Sequence, residues 1–410
     1  MTLNSPLRLL LISSLVLAGV AIAMQPGEAH KAITSKYTFN DDVFPILRDR
    51  CASCHVAGGV APMSLMTYDD AFPWAESIRA ELVAAHMPPW NADEGYGAVK
   101  RAHTLTPKEL DVVLTWATGG NPRGALDQKL PAVELKNGWT LGAPDLVLKP
   151  PAEFTLAADK MEDWQEFTLP AGTTEARWVR AVDLLPGTPS IVRSATIVVK
   201  RAGGQVAGPA PEHVLAFWLP GQVPAPVDGI AFKLPAGAQI GVRVHYKKTW
   251  QFEGKPLTDR STIGVYFSPG NSAQELLALP IDSPAFVSGG ADQTVRFNHT
   301  LAEDVVALAL SPDRVPGNIT LQVEAVKPDG SRVPMIRLNT RADWDRRYWF
   351  EKPMTLPRGT RVEVTANLAD PDLLSAAFTS TPGAGVAPAR PSSMRLTLNV
   401  IPARSKPTAP

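Results

Sequence analysis

The sequence predicts a multidomain chain in which a small all-α domain precedes two all-β domains, each an antiparallel, jelly-roll-like sandwich. Two observations carry this reading. Up to about residue 120, apolar residues recur at helical spacing, and Thr106, Pro107 and Glu109 form a capping box before one such run. From about Trp139 onward, short runs alternate in polarity or are β-branched, and glycine and proline turns divide them. The 39 prolines are spread along the chain, which suits short strands better than long helices. A length of 410 residues exceeds one ordinary core. Lys+Arg and Asp+Glu number 40 each and no basic patch stands out, so nucleic-acid binding has no electrostatic support.

Residues 1–29 read as an export signal. Arg8 precedes the uncharged run Leu9 to Ala23, which is short for a membrane span but fits a signal h-region. Ala21 and Ala23 give a cleavage site before Met24, and a second site follows Ala29. The alternative is an uncleaved anchor helix. With cleavage, no stable membrane insertion is expected, and the chain is placed in the periplasm or another exported, oxidising compartment. Two free thiols would be a liability there.

Yet the only two cysteines of the chain stand together in Arg50-Cys51-Ala52-Ser53-Cys54-His55. A zinc site needs about four ligands, and no second cysteine pair exists. A thioredoxin-type pair wants a βαβ setting that the flanks lack. A structural disulfide would close a small, strained loop. The remaining reading is C-x-x-C-H, the attachment site of a c-type haem. Cys51 and Cys54 then tether one haem covalently, and His55 ligates its iron.

The flanks are predicted to be helical over an all-α domain spanning 36–122. Upstream, Val43, Phe44 and Leu47 share a face, with Asp41 or Asp42 as cap and Pro45 in the first turn. Ala71, Ala75, Ile78, Leu82 and Ala85 define a second helix, which Pro88 and Pro89 stop. Leu110, Val113, Leu114 and Ala117 form the stripe of a third, closed by Gly119. Helix, haem motif, methionine loop, helix is the layout of a small cytochrome c domain. For the sixth iron ligand the candidates are Met87, Met63, Met66 and His86. Met87 is preferred, because the prolyl pair holds it outside regular structure.

Residues 123–140 read as a linker. The strands that follow include RSATIVVK, AQIGVRVHYKKTW, STIGVYF, NITLQVEAV, TRVEVTANL and SMRLTLNVI. They are assigned to sandwiches at 141–288 and 291–402, divided near Ser288-Gly289-Gly290-Ala291, with 403–410 as a disordered tail.

The haem motif, then APMSLMTYDDAFPWAESI, MPPWNA, GWTLGAPDLVL, VRVHY, DRSTIGVYF and DWDRRYWFEKPMTLPRGTRVEV, together resemble a group of bacterial exported proteins. These join a cytochrome c domain to a module like the copper type II, ascorbate-dependent monooxygenases, whose animal relative is peptidylglycine alpha-hydroxylating monooxygenase. The resemblance runs from about residue 38 to 402. It implies one copper per sandwich. The first would be held by a His-His pair and the histidine that stands here as His245. The pair is replaced by Arg193-Ser194. The second would take two histidines, where Asp313 and Val315 stand, and a methionine, which Met394 matches. His245 and Met394 are thus vestigial copper positions, and tight copper binding is not expected of them. From strand phase alone, His245 lies between Arg243 and Lys247 on the face opposite Ile240, Val242, Val244 and Tyr246. Met394 is in phase with Leu396, Leu398 and Val400, a core pattern.

No catalytic constellation stands out: there is no G-x-S-x-G, no phosphate-cradling loop and no paired carboxylates in context. The expected function is one-electron transfer with a redox partner protein in the periplasm, the sandwiches serving as docking or scaffold domains. A second expectation is a haem-fed copper monooxygenase that hydroxylates a C–H bond. A third is a haem sensor or peroxidase-like enzyme with an open sixth position.

Overall fold

The computed structural model describes residues 34–100, 104–200, 213–270, 273–285, 294–317, 319–340, 344, 346–368 and 393–403. The predicted export signal and its cleavage sites, the division at Ser288–Ala291 and the tail beyond Ala403 lie outside the described residues.

Thr38 opens the helical unit. Its hydroxyl accepts the N–H of Asp41, and its own N–H donates to Asp42 at 2.8 Å. One π-helical turn (Phe39–Val43) then leads into α1 (Phe44–Arg50), with Pro45 in its first turn. The cap is therefore Thr38 and not Asp41 or Asp42, because the π-helical turn adds residues before the α-helix begins. Next come α2 (Tyr68–Ala71), a 3₁₀ turn (Phe72–Trp74) and α3 (Ala75–Val83). The second helix stops before Ala85, whose φ of 52° is left-handed, so the prolines are reached through a loop. α4 (Pro107–Thr118) carries the complete Thr106–Glu109 capping box. It buries Val112, Val113, Trp116 and Ala117 against Phe39, Phe44 and Leu47. The buried stripe is turned from the predicted one because Trp116 takes its centre, with its Nε1 donating to Pro122 O at 3.1 Å.

The rest is β-structure, almost all antiparallel. The first sandwich packs one sheet of β1 (Leu146–Leu148), β10 (Thr262–Phe267), β4 (Arg177–Leu185), β7 (Ile230–Leu234) and β11 (Gln274–Glu275) on a second. That second sheet holds β3 (Glu162–Pro170), β8 (Gln239–Lys247), β5 (Val192–Lys200) and β6 (His213–Trp218). Only β7 and β11 pair in parallel among the described strands. A short pair, β2 (Phe154–Leu156) with β9 (Leu257–Asp259), lies alongside. The core includes Leu156, Ile197, Leu234, Ile240, Val244 and Ile263.

The second sandwich packs β12 (Leu277–Asp282), β19 (Arg395–Pro402), β14 (Val305–Arg314) and β17 (Tyr348–Leu356) on β13 (Thr294–Thr300), β18 (Arg361–Asn367), β15 (Thr320–Val326) and β16 (Arg332–Asn339). Alternation is strict in β15, where Leu321, Val323 and Ala325 are buried and the residues between them are half-buried. Because β12 pairs with β19 over its whole length, this sandwich begins at Leu277 rather than at 291.

Two stretches depart from the predicted division. The linker is not free: Asn40 N–H donates to Arg123 O at 3.0 Å, and Leu130, Val133 and Leu135 pack on the helical core. More consequentially, residues 90–100, assigned by sequence to the helical domain, are stitched to the second sandwich. Ala92 bridges Leu338 of β16 and Val99 bridges Phe350 of β17, the outer strands of its two sheets. Asn339 N–H donates to Asn91 O at 2.8 Å, Asp93 N–H to Arg337 O at 2.9 Å, Lys100 N–H to Trp349 O at 2.7 Å and Glu351 N–H to Ala98 O at 2.8 Å. The stitch covers two open sheet edges, and Trp90 packs edge-on to Tyr348 at 5.5 Å.

Gly97 makes this possible. Its φ is +74°, and a Cβ there would collide with the Met335 carbonyl. Gly97→Ala is expected to weaken the stitch by about 1–3 kcal/mol. Amide exchange at Asp93 and Lys100 would then speed up, while the core strand β15 stays protected. Unchanged exchange at both amides would refute the role given to Gly97.

Candidate functional site: a thiol-lined cavity between the helical unit and the sandwiches

Directly after α1 the chain winds through tight turns. Cys51 N–H donates to Leu47 O at 2.9 Å, Cys54 N–H to Cys51 O at 3.1 Å and His55 N–H to Cys51 O at 2.9 Å. This winding brings Cys51, Cys54 and His55 to the wall of one cavity of about 440 Å³, within the range of small-molecule sites. Apolar side chains dominate it, among them Leu47, Leu65, Ile78, Leu82 and Val113. Gly59 has no room for a side chain, because a Cβ would strike the Cys54 carbonyl.

Both cysteines are free thiols. Burial pushes Cys51 up to about 12, with the neighbouring Cys54 adding to it and Arg50 opposing it. Burial likewise raises Cys54, against the hydrogen bond from Ser53. The His55 ring has its Nδ1 at 3.2 Å from the Met63 carbonyl oxygen. A carbonyl only accepts, so Nδ1 carries the proton and Nε2 keeps its lone pair. Burial, with the Arg193 charge, lowers the pKa of His55 and favours the neutral ring. A backbone carbonyl orienting one ring nitrogen so that the other can ligate is the usual arrangement behind a metal-bound histidine.

Of the four candidates for a further ligand, Met87 and Met63 line the cavity, whereas Met66 and His86 do not. Met66 is buried in the helical core, and His86 Nδ1 lies 3.2 Å from Glu81. Met87 comes from the loop after α3, immediately ahead of the stitch at 90–100.

The sandwiches complete the cavity, which sequence reading missed. Arg193, Leu219, Pro220, Gln222, Trp344 and Arg346 line it. Gly221 is packed so close to Ser53 that a Cβ on it would clash. The strand register explains Arg193. Val192 pairs with Tyr246 and Ser194 with His245, so Arg193 is the extra residue of a β-bulge, a device that re-aims a side chain. Arg346 is buried just before β17, donating from Nη2 to Pro89 O at 3.0 Å.

His245 and Met394, the positions that the resemblance assigns to copper, lie elsewhere. His245 does share the face of Arg243 and Lys247, away from the core residues Ile240, Val242, Val244 and Tyr246, but it is fully buried there. Its ring stacks on Trp164 at 4.1 Å, and its Nε2 meets Glu162 at 2.7 Å. Trp164 from the adjacent β3 roofs the histidine, a cross-strand contact that strand phase alone does not reveal. Burial works to raise the Glu162 carboxyl, but the bonds and charges of His245 and Lys247 hold it below its ordinary value. Met394 sits in the core of the second sandwich with Leu396, Leu398 and Val400. Asp313 is the bulged residue of β14, bonded to Ser311 at 3.0 Å and to Thr397. His245 belongs to the first sandwich and Met394 to the second. Among the described residues no group of three or more His, Cys, Asp or Glu could hold a metal ion. His30 and His103 lie outside the described residues.

No family model matches the chain, and no curated protein matches it. Among solved structures it is similar to an F-lectin (fucolectin) from the serum of the striped bass, Morone saxatilis, at 9% identity and TM-score 0.19, over 61% of this chain and 85% of that one. It is also similar to allantoicase, at 10% identity and TM-score 0.19, over 60% of this chain and 79% of that one. Neither likeness bears on the site.

The thiols yield a test. In folded chain produced without haem attachment, Cys51 at about 12 holds roughly a thousandfold less thiolate at neutral pH than a cysteine near 9.0. Alkylation should therefore be slow until the chain is unfolded. A thiol whose pKa is raised by folding stabilises below the unfolded value, so stability should fall as pH rises from 9.0 toward about 12. Fast alkylation of the folded chain would contradict this burial.

Proposed function

We propose that the chain is an exported monohaem c-type cytochrome that transfers single electrons, with two β-sandwiches that enclose the haem edge and dock a redox partner. What supports the reading most is one arrangement: two free thiols and an Nδ1-anchored histidine facing a single apolar cavity. The donor set fits a covalently held haem. Each Sγ would add to a vinyl carbon, its proton passing to the adjoining carbon, so nothing is left over. His55 Nε2 would face the iron. A bound haem supplies one-electron redox chemistry, and the chain sets its ligation, solvent access and local charge.

For the sixth position Met87 is favoured over Met63. The Met63 carbonyl is committed behind the His55 ring, whereas Met87 arrives on the separate loop that leads to the stitch. A thioether ligand raises the potential and closes the iron to small molecules, which suits electron transfer rather than oxygen chemistry.

Chain matured with haem-attachment machinery is expected to carry one iron, detected as a covalent haem mass. Cys51→Ala with Cys54→Ala should abolish that mass. Met87→Ala should leave the haem attached, remove the thioether-to-iron charge-transfer band and lower the midpoint potential by a part of the roughly 0.8 V that axial ligation spans. Iron absent from wild-type chain would end the cytochrome reading. A Met87→Ala spectrum identical to wild type would remove Met87 from the ligand set. One or two tightly held coppers per chain would turn the assignment toward C–H hydroxylation.

A further inference from the structure

Four charged side chains line the cavity: Arg50, Glu81, Arg193 and Arg346. Two have close side-chain partners. Arg50 holds Glu109 at 3.0 Å, and Glu81 holds His86 at 3.2 Å. The other two come from the sandwiches and are short of partners. No ion pair to a carboxylate joins Arg193 or Arg346 among the described residues, and the Nε of each is buried without a hydrogen-bond acceptor. Each nonetheless lies over an aromatic ring. The Arg193 guanidinium lies 5.0 Å from the Trp344 ring centre, and that of Arg346 lies 5.2 Å from Trp90. Stacking fixes a guanidinium and leaves its edge free for a planar anion.

A buried cation without a counter-charge is costly. Burial already holds Arg346 below its ordinary pKa, with Tyr348 and the nearby Cys54 opposing. Arg346 is buried and Arg193 half-buried with its Nε out of water, so the two together call for anionic oxygen from what the cavity contains. This step rests on the cytochrome reading: a haem held at Cys51 and Cys54 brings two carboxylates, which match two guanidiniums in charge and number. We propose that Arg193 and Arg346 form a carboxylate clamp, one arm from each sandwich, that takes the haem propionates. The β-bulge that carries Arg193 where the copper family has histidine then has a purpose: it trades a metal ligand for a haem contact.

The test uses holo-protein whose covalent haem is verified by intact mass. Midpoint potentials are measured for wild type, Arg193→Gln, Arg346→Gln and the two lysine variants. Removing a cation beside the haem disfavours the electron-rich state, so each glutamine variant should lower the ferrous-to-ferric ratio at fixed potential about tenfold, a shift of about 59 mV. Each lysine variant should recover more than half of that shift. Adding acetate to wild type should change nothing, because the clamp is filled. Haem-bearing glutamine variants with unmoved potentials would overturn the clamp, as would lysine variants that lose as much as glutamine. An acetate-induced shift that disappears in the glutamine variants would mean an open anion site and would overturn the propionate assignment. Wild-type chain without the haem mass would fell the cytochrome reading and the clamp together. If Arg346→Gln does not accumulate, Arg193→Gln and Arg346→Lys still decide the matter.

Discussion

The edge pairing between residues 90–100 and the second sandwich is the constraint on which the cavity depends. Four backbone hydrogen bonds and the buried Ala92 and Val99 fasten this stretch to β16 and β17. At about 0.5–1.5 kcal/mol net per bond, the stitch is strong enough to fix a loop that carries no helix of its own. Met87, Pro88 and Pro89 lie immediately ahead of it, and Arg346 holds Pro89 from the sandwich side. One wall of the cavity is therefore hung on the β-structure, while Cys51, Cys54 and His55 are set by the turns after α1. The helical unit alone would present half a site.

This changes the meaning of the sandwiches. A docking domain on a flexible linker would leave a haem unit independent of it. Here the linker lies along the helical core, Gly221 abuts Ser53, and Gln251 donates to Pro62 O at 2.8 Å. Residues from both sandwiches reach the cavity. Any haem held there would feel their charge, their solvent exclusion and their motion.

Bulges carry two of the four residues that stand where the resemblance would place histidine. Arg193 and Asp313 are both extra residues in their strands. A bulge frees one side chain from the sheet's alternation, so its identity can change without disturbing the core. His245 and Met394 lie outside these bulges. His245 is roofed by Trp164, and Met394 joined an aliphatic core. Packing holds both residues in place.

Local sequence determined a good deal. The capping box at Thr106, the strands at 192–200, 239–247, 262–267, 320–326, 361–367 and 395–402, and the turn at Pro328-Asp329-Gly330 all follow from short-range propensity and alternation. The grouping of Cys51, Cys54 and His55 was legible because neighbours in sequence share a turn. Spacing also named Met87, though not why it is held. Only tertiary structure decided the rest. The stitch at 90–100 pairs residues more than two hundred positions apart, and nothing in WNADEGYGAVK states which edge it will find. Arg193 and Arg346 carry no signal of their own, since an arginine in sequence looks the same whether it faces solvent or a cavity. Cross-strand register put His245 under Trp164 and re-aimed Arg193. Short-range forces write the elements, whereas the pairing of distant edges and the burial of charge are settled only when the three units close on one another.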